Sequence, residues 1–179
     1  MRQIGLGFEV RESRVDEPVD PQESPVANVL RISYDKARAV IREGDDAIVI
    51  GADTIVVLDG SILGKPRDRN DAIGMLSRLS GREHIVYTGF TLLDTPSEIS
   101  MRDHEATVVR FRHLLPREIE DYVDSGSPMD KAGAYGIQDD AGAVFVERVN
   151  GCFYNVVGFP LTKFYLTMMR FQQQLGLIS

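Results

Sequence analysis

The sequence predicts an α/β fold in which helices flank one twisted, mixed β-sheet. Segments with helical spacing of apolar residues alternate with segments rich in β-branched and aromatic residues. Some of the strand-like segments are joined by turn signals that favour antiparallel hairpins. The chain has 179 residues, 43% of them hydrophobic, which suffices for one domain with a substantial core and is too short for two ordinary domains.

The first elements follow from local signals. Residues 8–12 alternate like a short strand, and Ser24 with Pro25 is typical of a helix start, which predicts a helix over residues 24–42. Residues 47–58 form an apolar strand, and Asp59-Gly60 predicts a tight turn into a second, short strand.

The remaining elements are predicted from periodicity and from turn residues. Further helices are expected over residues 70–79, 116–122 and 161–175. Further strands are expected over residues 84–93, 106–112 and 143–149. The strands at 84–93 and 106–112 are expected to form a hairpin with a long tip. The sequence shows no repeat, low-complexity tract or linker.

Composition excludes several classes of function. The net charge is −7 and the isoelectric point is near 5, which argues against binding the phosphate backbone of a nucleic acid. A single cysteine, Cys152, cannot form an internal disulfide, which favours a cytoplasmic location. The longest apolar run is interrupted by Asp53 and is shorter than the roughly 20 residues of a membrane-spanning helix. No membrane span is expected.

One carboxylate and one lysine stand out near that apolar run. A buried Asp is costly without a polar partner, so Asp53 should lie at the end of its strand, in a cleft or beside a positive charge. Lys65 lies between Gly64 and Pro66, where the restricted backbone fixes the direction of its ammonium group. A carboxylate and a lysine in one cleft indicate phosphate and metal chemistry.

Five segments resemble the Maf family of nucleoside triphosphate pyrophosphatases, in the order found in that family. They are Gly-Ala-Asp-Thr at 51–54, Gly-Lys-Pro at 64–66, Leu-Ser-Gly-Arg at 79–82, Asp-Lys-Ala-Gly-Ala-Tyr-Gly-Ile-Gln at 130–138 and Asn-Val-Val-Gly-Phe-Pro-Leu at 155–161. The resemblance extends from about residue 4 to about residue 164. The sequence of residues 130–138 is similar to that of the family branch that hydrolyses dTTP and UTP to the monophosphate and pyrophosphate.

The resemblance implies a Maf-like fold, similar to that of inosine triphosphate pyrophosphatase, with a central cleft. It implies that Asp53 is the general base and that Glu17 and Asp53 bind a divalent cation, Mg²⁺ or Mn²⁺. It assigns phosphate binding to Lys36 and Lys65. It also implies a homodimer.

The resemblance further assigns pyrimidine selection to Thr54 and Gln138. A Gln side chain offers one acceptor and two donors, which can read the O4 and N3–H edge of uracil or thymine.

Each assignment has a simpler interpretation. Without the resemblance, Glu17 belongs to a solvated acidic loop, Lys36 and Lys65 point into water, and Gln138 is a surface residue. Lys131 could contact phosphate or pair with Asp130, and both interpretations stay open.

The residues at other chemically interesting positions are interpreted as structural. The three histidines are too scattered for a local metal motif, and Cys152 is interpreted as a packed residue. Ser80-Gly81 is explained by a helix stop, while Arg82 could also clamp an oxygen.

The sequence departs from the family at its N-terminus. The family's Ser-x-Ser-Pro-Arg-Arg loop, whose amides and arginines hold the triphosphate, is missing, and residues 1–8 match the end of the helix that follows the loop. We expect the natural polypeptide to begin further upstream. Two alternative functions stay open: a pyrophosphatase for modified or methylated purine triphosphates, and a catalytically weak nucleotide-binding regulator of cell division.

Overall fold

A computed structural model describes residues 4–139 and 141–178, and its elements confirm the α/β class. The helices are α1 (Pro25–Ala39), α2 (Arg69–Leu79), α3 (Pro116–Asp124), α4 (Phe153–Val157) and α5 (Leu161–Gln174). The strands are β1 (Ile48–Leu58), β2 (Ser61–Leu63), β3 (Glu83–Asp94), β4 (Ser100–Phe111) and β5 (Val146–Asn150). Short 3₁₀ turns cover Ser127–Asp130, Ala132–Ala134 and Gly142–Phe145.

In the described part of the chain, the five strands form one sheet in the order β2-β1-β3-β4-β5. β1 and β2 pair antiparallel with Leu58 opposite Ser61, as the Asp59-Gly60 turn predicts. Both turn residues have positive φ, 50° at Asp59 and 75° at Gly60, which matches a tight two-residue hairpin. β4 and β5 also pair antiparallel, with a register irregularity after Arg110.

The chain divides into two compact units. The first comprises Met1–Asp53, Thr88–Glu105 and Phe159–Ser179. Its core is built around four fully buried side chains, Phe90, Leu92, Phe164 and Phe171. The rings of Phe90 and Phe164 meet nearly edge to face, with 5.8 Å between centroids. This unit carries α1 and α5.

The second unit comprises Thr54–Tyr87 and Ala106–Gly158. Its larger core contains buried residues of β1, α2, β4 and α3, among them Val56, Leu76, Phe111 and Tyr122. Arg112 pairs with Glu118 at 2.6 Å, and Glu118 also accepts a hydrogen bond from the backbone N–H of Leu115 at the start of α3. These contacts fix the beginning of α3 in the absence of a polar capping residue.

Helix α1 begins where the sequence predicts. The Ser24 hydroxyl accepts a hydrogen bond from the N–H of Ala27 at 3.1 Å, and Pro25 occupies the first turn. The side chains of Val29 and Ile32 are buried and supply the apolar stripe that packs this helix. The helix ends at Ala39, three residues before the predicted end.

Three local predictions were wrong. Residues 8–12 form no strand; Arg11 instead bonds to Asp45 and to the Val40 carbonyl, so side-chain contacts hold this segment. β4 begins at Ser100, so the hairpin from β3 has a short tip at residues 95–99, because pairing with β3 overrides the polar composition of residues 100–105. Residues 143–145 belong to a 3₁₀ turn, and β5 begins only at Val146.

Two structural features were not predicted. Helix α4 is only five residues long, too short for a periodic pattern to reveal it. The turns between 127 and 134 depend on left-handed residues, including the non-glycine Ala134 at φ 60°. Residues 1–3, part of the segment expected to match the end of a family helix, lie outside the described residues.

Candidate active site

A cluster of three charged side chains lies in the first unit. The Lys36 ammonium group is 2.7 Å from Asp53 Oδ1 and 2.7 Å from Glu17 Oε1. Asp53 is 7% exposed, the Lys36 side chain 17% and the Glu17 side chain 33%, so the cluster extends from the interior to the surface. Of the three surroundings that the sequence left open for Asp53, the structure shows the one beside a positive charge.

The secondary structure explains why Lys36 and Asp53 meet. Asn28, Ile32 and Lys36 follow one another at four-residue spacing, so they share one face of α1. Along β1, Gly51 and Asp53 lie two residues apart and point to the same side of the sheet. Lys36 therefore faces the strand side that carries Asp53.

Glycine permits the close approach of α1 to this strand. A Cβ atom placed on Gly51 would lie 2.0 Å from the Ser33 carbonyl oxygen and 2.8 Å from the backbone N of Ala37. A Cβ on Gly89 would lie 2.7 Å from the carbonyl of Val29. Since no side chain fits at either place, Gly51 sets the distance between α1, which carries Lys36, and β1, which carries Asp53, while Gly89 does the same for α1 and the neighbouring β3.

The acidic loop that carries Glu17 is tied to α1 by two side chains. Asn28 is fully buried; its amide donates to the Asp20 carbonyl at 2.9 Å and its oxygen accepts from the Asp20 N–H at 2.8 Å. Arg31 donates to the Pro18 carbonyl at 3.0 Å. These bonds hold the loop at Pro18 and Asp20 and so keep the neighbouring Glu17 near Lys36.

Sequence reasoning missed Asn28 and Arg31, and it named Gly51 only as the first residue of the motif at 51–54, without its positioning role. The available signal for Asn28 was a polar residue four positions before Ile32 and eight before Lys36, on the same helix face. Arg31 and Gly51 gave no comparable signal, since Arg is an ordinary helix surface residue and the partners of Gly51 are 14 or more positions away.

The charges of the cluster depend on one another. Burial by itself would lower the pKa of Lys36, but hydrogen bonds and attraction from Asp53 and Glu17 outweigh burial and raise this pKa. Lys36 is therefore positively charged near neutral pH, and its single charge offsets part of the negative charge of the two carboxylates. An ammonium group has three N–H donors, so two are engaged here.

The donor set of this cluster fits a hard divalent cation. Carboxylate oxygens are preferred ligands of Mg²⁺, which usually binds one or two carboxylates and keeps several waters. Within residues 4–139 and 141–178, no group of three or more His, Cys, Asp or Glu is arranged to hold a metal ion. Glu17 and Asp53 could hold such an ion only if water or a substrate phosphate completed its coordination.

Thr54 belongs to the second unit, and the strand continues through it to Leu58. Because the backbone stays extended, Thr54 faces away from the side that carries Asp53. Its hydroxyl donates to the Gly158 carbonyl at 3.4 Å. Gly158 follows α4, which is anchored through the buried Asn155 to Thr107 and to the Val86 carbonyl, each at 3.0 Å.

Lys65 is exposed and lies next to the segment at residues 130–138. The Gly64 carbonyl accepts a hydrogen bond from the Gly133 N–H at 3.0 Å. The pKa of Asp130 is lowered chiefly by its hydrogen bond to Lys131, and the charge of Lys65 adds a small contribution in the same direction. Gly133 has φ 69°, and a Cβ there would lie 3.0 Å from Val56. The second unit thus brings two of the motif segments side by side.

Gln138 is exposed at the end of that segment. Lys131 donates to the Ser127 carbonyl at 2.6 Å and to Asp130 at 2.8 Å, and lies 3.4 Å from Asp139. Of the two interpretations left open for Lys131, the structure favours pairing with Asp130, since all three donors of the ammonium group face protein oxygens.

The remaining candidates have structural roles in this structure. Arg82 pairs with Asp59 at 2.6 Å in the β1–β2 turn. His84 is buried, and its Nε2 lies 2.7 Å from the Tyr135 hydroxyl. Cys152 precedes α4 and its N–H donates to Thr107. None of the helices in the described part of the chain is long and apolar enough to cross a bilayer.

Comparison with known proteins agrees with the order of the motifs. The family model described as Maf-like protein matches residues 1–171. A dTTP/UTP pyrophosphatase of Symbiobacterium thermophilum is 50% identical over 163 residues, which cover 91% of this chain and 82% of that protein.

Two further relatives have the same name. The dTTP/UTP pyrophosphatase of Syntrophomonas wolfei is 45% identical over 167 residues, covering 93% of this chain and 88% of that protein. That of Chlorobaculum tepidum is 46% identical over 168 residues, covering 92% and 84%. The similarity extends over most of each chain and is not confined to the motif segments.

Proposed function

The chain belongs to the Maf-like protein family, and we propose that it is a nucleoside triphosphate pyrophosphatase that hydrolyses dTTP and UTP to the monophosphate and pyrophosphate. Relatives 45–50% identical over most of their length have that activity in their names. The observation that supports the chemistry is the cluster in which Lys36 joins the carboxylates of Glu17 and Asp53 at 2.7 Å each.

We assign general-base catalysis to Asp53. The reaction joins a water oxygen to phosphorus and breaks the bond between the α-phosphorus and the bridging oxygen, which leaves with pyrophosphate. The proton of the attacking water passes to the Asp53 carboxylate. Lys36 holds that carboxylate in a fixed position before the substrate arrives.

A divalent cation belongs to this proposal, and Glu17 with Asp53 would hold it. When bound, Mg²⁺ or Mn²⁺ would spread the negative charge of the triphosphate. Lys65 and the remaining donor of Lys36 are assigned to phosphate oxygens. Thr54 and Gln138 are assigned to selection of the pyrimidine base.

The proposal also includes a homodimer in the cytoplasm. The homodimer rests on the family resemblance, and the cytoplasmic location on the single cysteine of the sequence. Light scattering on the purified protein measures the oligomeric state, and fractionation of cells that express the protein measures its location.

The test is an incubation of the purified chain with Mg²⁺ and a panel of nucleoside triphosphates, including dTTP, UTP, CTP and methylated purine nucleotides. Products are separated so that monophosphate plus pyrophosphate is distinguished from diphosphate plus phosphate. We expect UMP and dTMP with pyrophosphate, and no turnover after chelation of the metal. Preferred hydrolysis of a purine nucleotide, or tight UTP binding without any product, would contradict the proposal.

A further inference from the structure

Asp139 lies directly after Gln138 and connects several parts of the second unit. Its Oδ2 atom accepts a hydrogen bond from the Ser127 hydroxyl at 2.7 Å and from the Tyr122 hydroxyl at 3.0 Å. The Lys131 ammonium lies 3.4 Å from the same oxygen. The Asp139 side chain is 19% exposed, so these bonds are largely screened from water.

The same carboxylate packs against the backbone of Gly136, two residues before Gln138. A Cβ on Gly136 would lie 2.7 Å from Asp139 Oδ2, so a side chain at position 136 would displace the carboxylate from this place. The Asp139 N–H donates to the Gly136 carbonyl, and the Gly136 N–H donates to the Tyr122 hydroxyl at 3.2 Å. Burial raises the pKa of Tyr122, so its hydroxyl stays protonated and donates to Asp139.

These contacts fix the backbone conformation on both sides of Gln138. Ile137 is 8% exposed and belongs to the core of the second unit, while Asp139 is bonded to Tyr122 and Ser127. Gln138 itself is exposed between these two fixed neighbours. An exposed amide needs a fixed backbone to recognise one edge of a base, because its own side chain is flexible.

We propose that Asp139 is a specificity-determining positioning residue, which holds Gln138 so that its amide meets the O4 and N3–H edge of a pyrimidine nucleotide. This inference rests on the proposed function, in which Gln138 contacts the base. Asp139 contacts neither substrate nor reacting atoms in this scheme. It acts through Gln138, and its loss should change discrimination between bases more than turnover.

The experiment measures kcat/KM for UTP and for CTP, which differ at the edge that Gln138 would read. Four proteins are compared: wild type, Gln138→Ala, Asp139→Ala and the double variant. We expect Gln138→Ala and Asp139→Ala each to lower the UTP-over-CTP ratio roughly tenfold. In the Gln138→Ala background, Asp139→Ala should have no further effect on the ratio, because the residue it positions is absent.

Asp130→Ala is the matched control. Asp130 lies in the same segment and binds the same Lys131, but its side chain is 82% exposed and pairs with Lys131 at the surface. We expect this variant to keep the UTP-over-CTP ratio of the wild type. If Asp139→Ala fails to fold, Asp139→Asn keeps the shape of the side chain and one acceptor, and should lower the ratio to a smaller extent.

The outcomes separate this inference from the proposed function. An unchanged ratio in a folded Asp139 variant, or an equal decrease with and without Gln138, would overturn the positioning role while UTP hydrolysis still supports the enzyme. Absence of UTP hydrolysis in the wild type would overturn both. If Asp139→Ala lowers the UTP-over-CTP ratio only when Gln138 is present, the result supports the inference.

Discussion

The two units of this protein each bury an ionisable side chain, and they do so in opposite ways. In the first unit, Asp53 is 7% exposed and is paired with the Lys36 ammonium at 2.7 Å. In the second unit, His84 is 2% exposed, and its neighbours are the Tyr135 hydroxyl and the rings of Phe111 and Tyr135. One group is buried with its charge compensated, and the other is buried without a counter-charge among its described contacts.

The difference shows how the environment determines which buried groups stay charged. Burial lowers the pKa of His84 to about 4, so the imidazole is neutral at pH 7. The Lys36 ammonium, in contrast, stays charged and retains two carboxylates beside it. A buried ion pair is seldom the most stable way to fill a core. Its presence in the first unit therefore fits chemistry better than stability.

Removing the charge from Asp53 should have the largest effect. Asp53→Asn keeps the size of the side chain but removes its capacity to accept a proton from water. We expect kcat to fall about 10³-fold, within the usual range for loss of a general base. Lys36 keeps Glu17 as a partner, so the variant should stay folded. Steady-state kinetics with UTP and circular dichroism measure these two effects.

Asp59→Asn is the control for that experiment. Asp59 follows the same strand but is exposed in the turn and pairs with Arg82 at the surface. Its φ of 50° suits Asn, and an exposed ion pair contributes little to stability. We expect wild-type kcat. If Asp53→Asn retained full activity as well, the charged cluster would not be the catalytic site.

The neutral histidine should make the protein sensitive to acid. His84 has a pKa of about 4 in the folded protein, against 6.5 as its ordinary value, so the unfolded chain binds a proton between these pH values that the folded chain does not. Stability is therefore unaffected by His84 at pH 7 and decreases as the pH falls from 6.5 to 4. The loss should reach about 3 kcal/mol at pH 4.

Urea denaturation at several pH values measures this loss. His84→Gln keeps a polar partner for Tyr135 but does not titrate, so the free energy of unfolding should depend less on pH between 4 and 6.5. Tyr135→Phe retains the buried imidazole and should keep the wild-type dependence. Equal pH dependence in His84→Gln and wild type would mean that His84 is not the source.

Local signals were enough to predict much of the fold. Ser24 with Pro25 and Asp59 with Gly60 act on their immediate neighbours, and the structure confirms the helix start and the hairpin they predict. The sheet position of residues 100–105 depends instead on pairing with β3, which their polar composition did not indicate.

The site was less accessible to sequence reasoning than the fold. The structure brings Glu17, Lys36 and Asp53 together, as the family resemblance implied, but their roles stay predictions, as do those of Thr54, Lys65 and Gln138. The contacts of Asn28 and Asp139 were not predicted, because each depends on how a loop returns to a helix, which no spacing in the sequence specifies.

Replacing one glycine by alanine in each unit should change stability and kcat differently in the two units, with the smallest of the expected effects. Gly51→Ala places a methyl group 2.0 Å from the Ser33 carbonyl, so α1 must move outward and carry Lys36 away from Asp53. We expect the free energy of unfolding to fall by about 2 kcal/mol, with a lower kcat. Gly74 lies in the interior of α2, where a Cβ atom would meet only open space.

Gly74→Ala should therefore stabilise the protein by about 0.5–1 kcal/mol, since Ala favours the helix, and should leave kcat unchanged. Thermal denaturation and UTP kinetics on both variants test the pair. Opposite signs in stability, with loss of activity confined to Gly51→Ala, would tie the close contact between α1 and β1 to the position of Lys36. Unchanged activity in Gly51→Ala would mean that the distance between Lys36 and Asp53 does not limit catalysis.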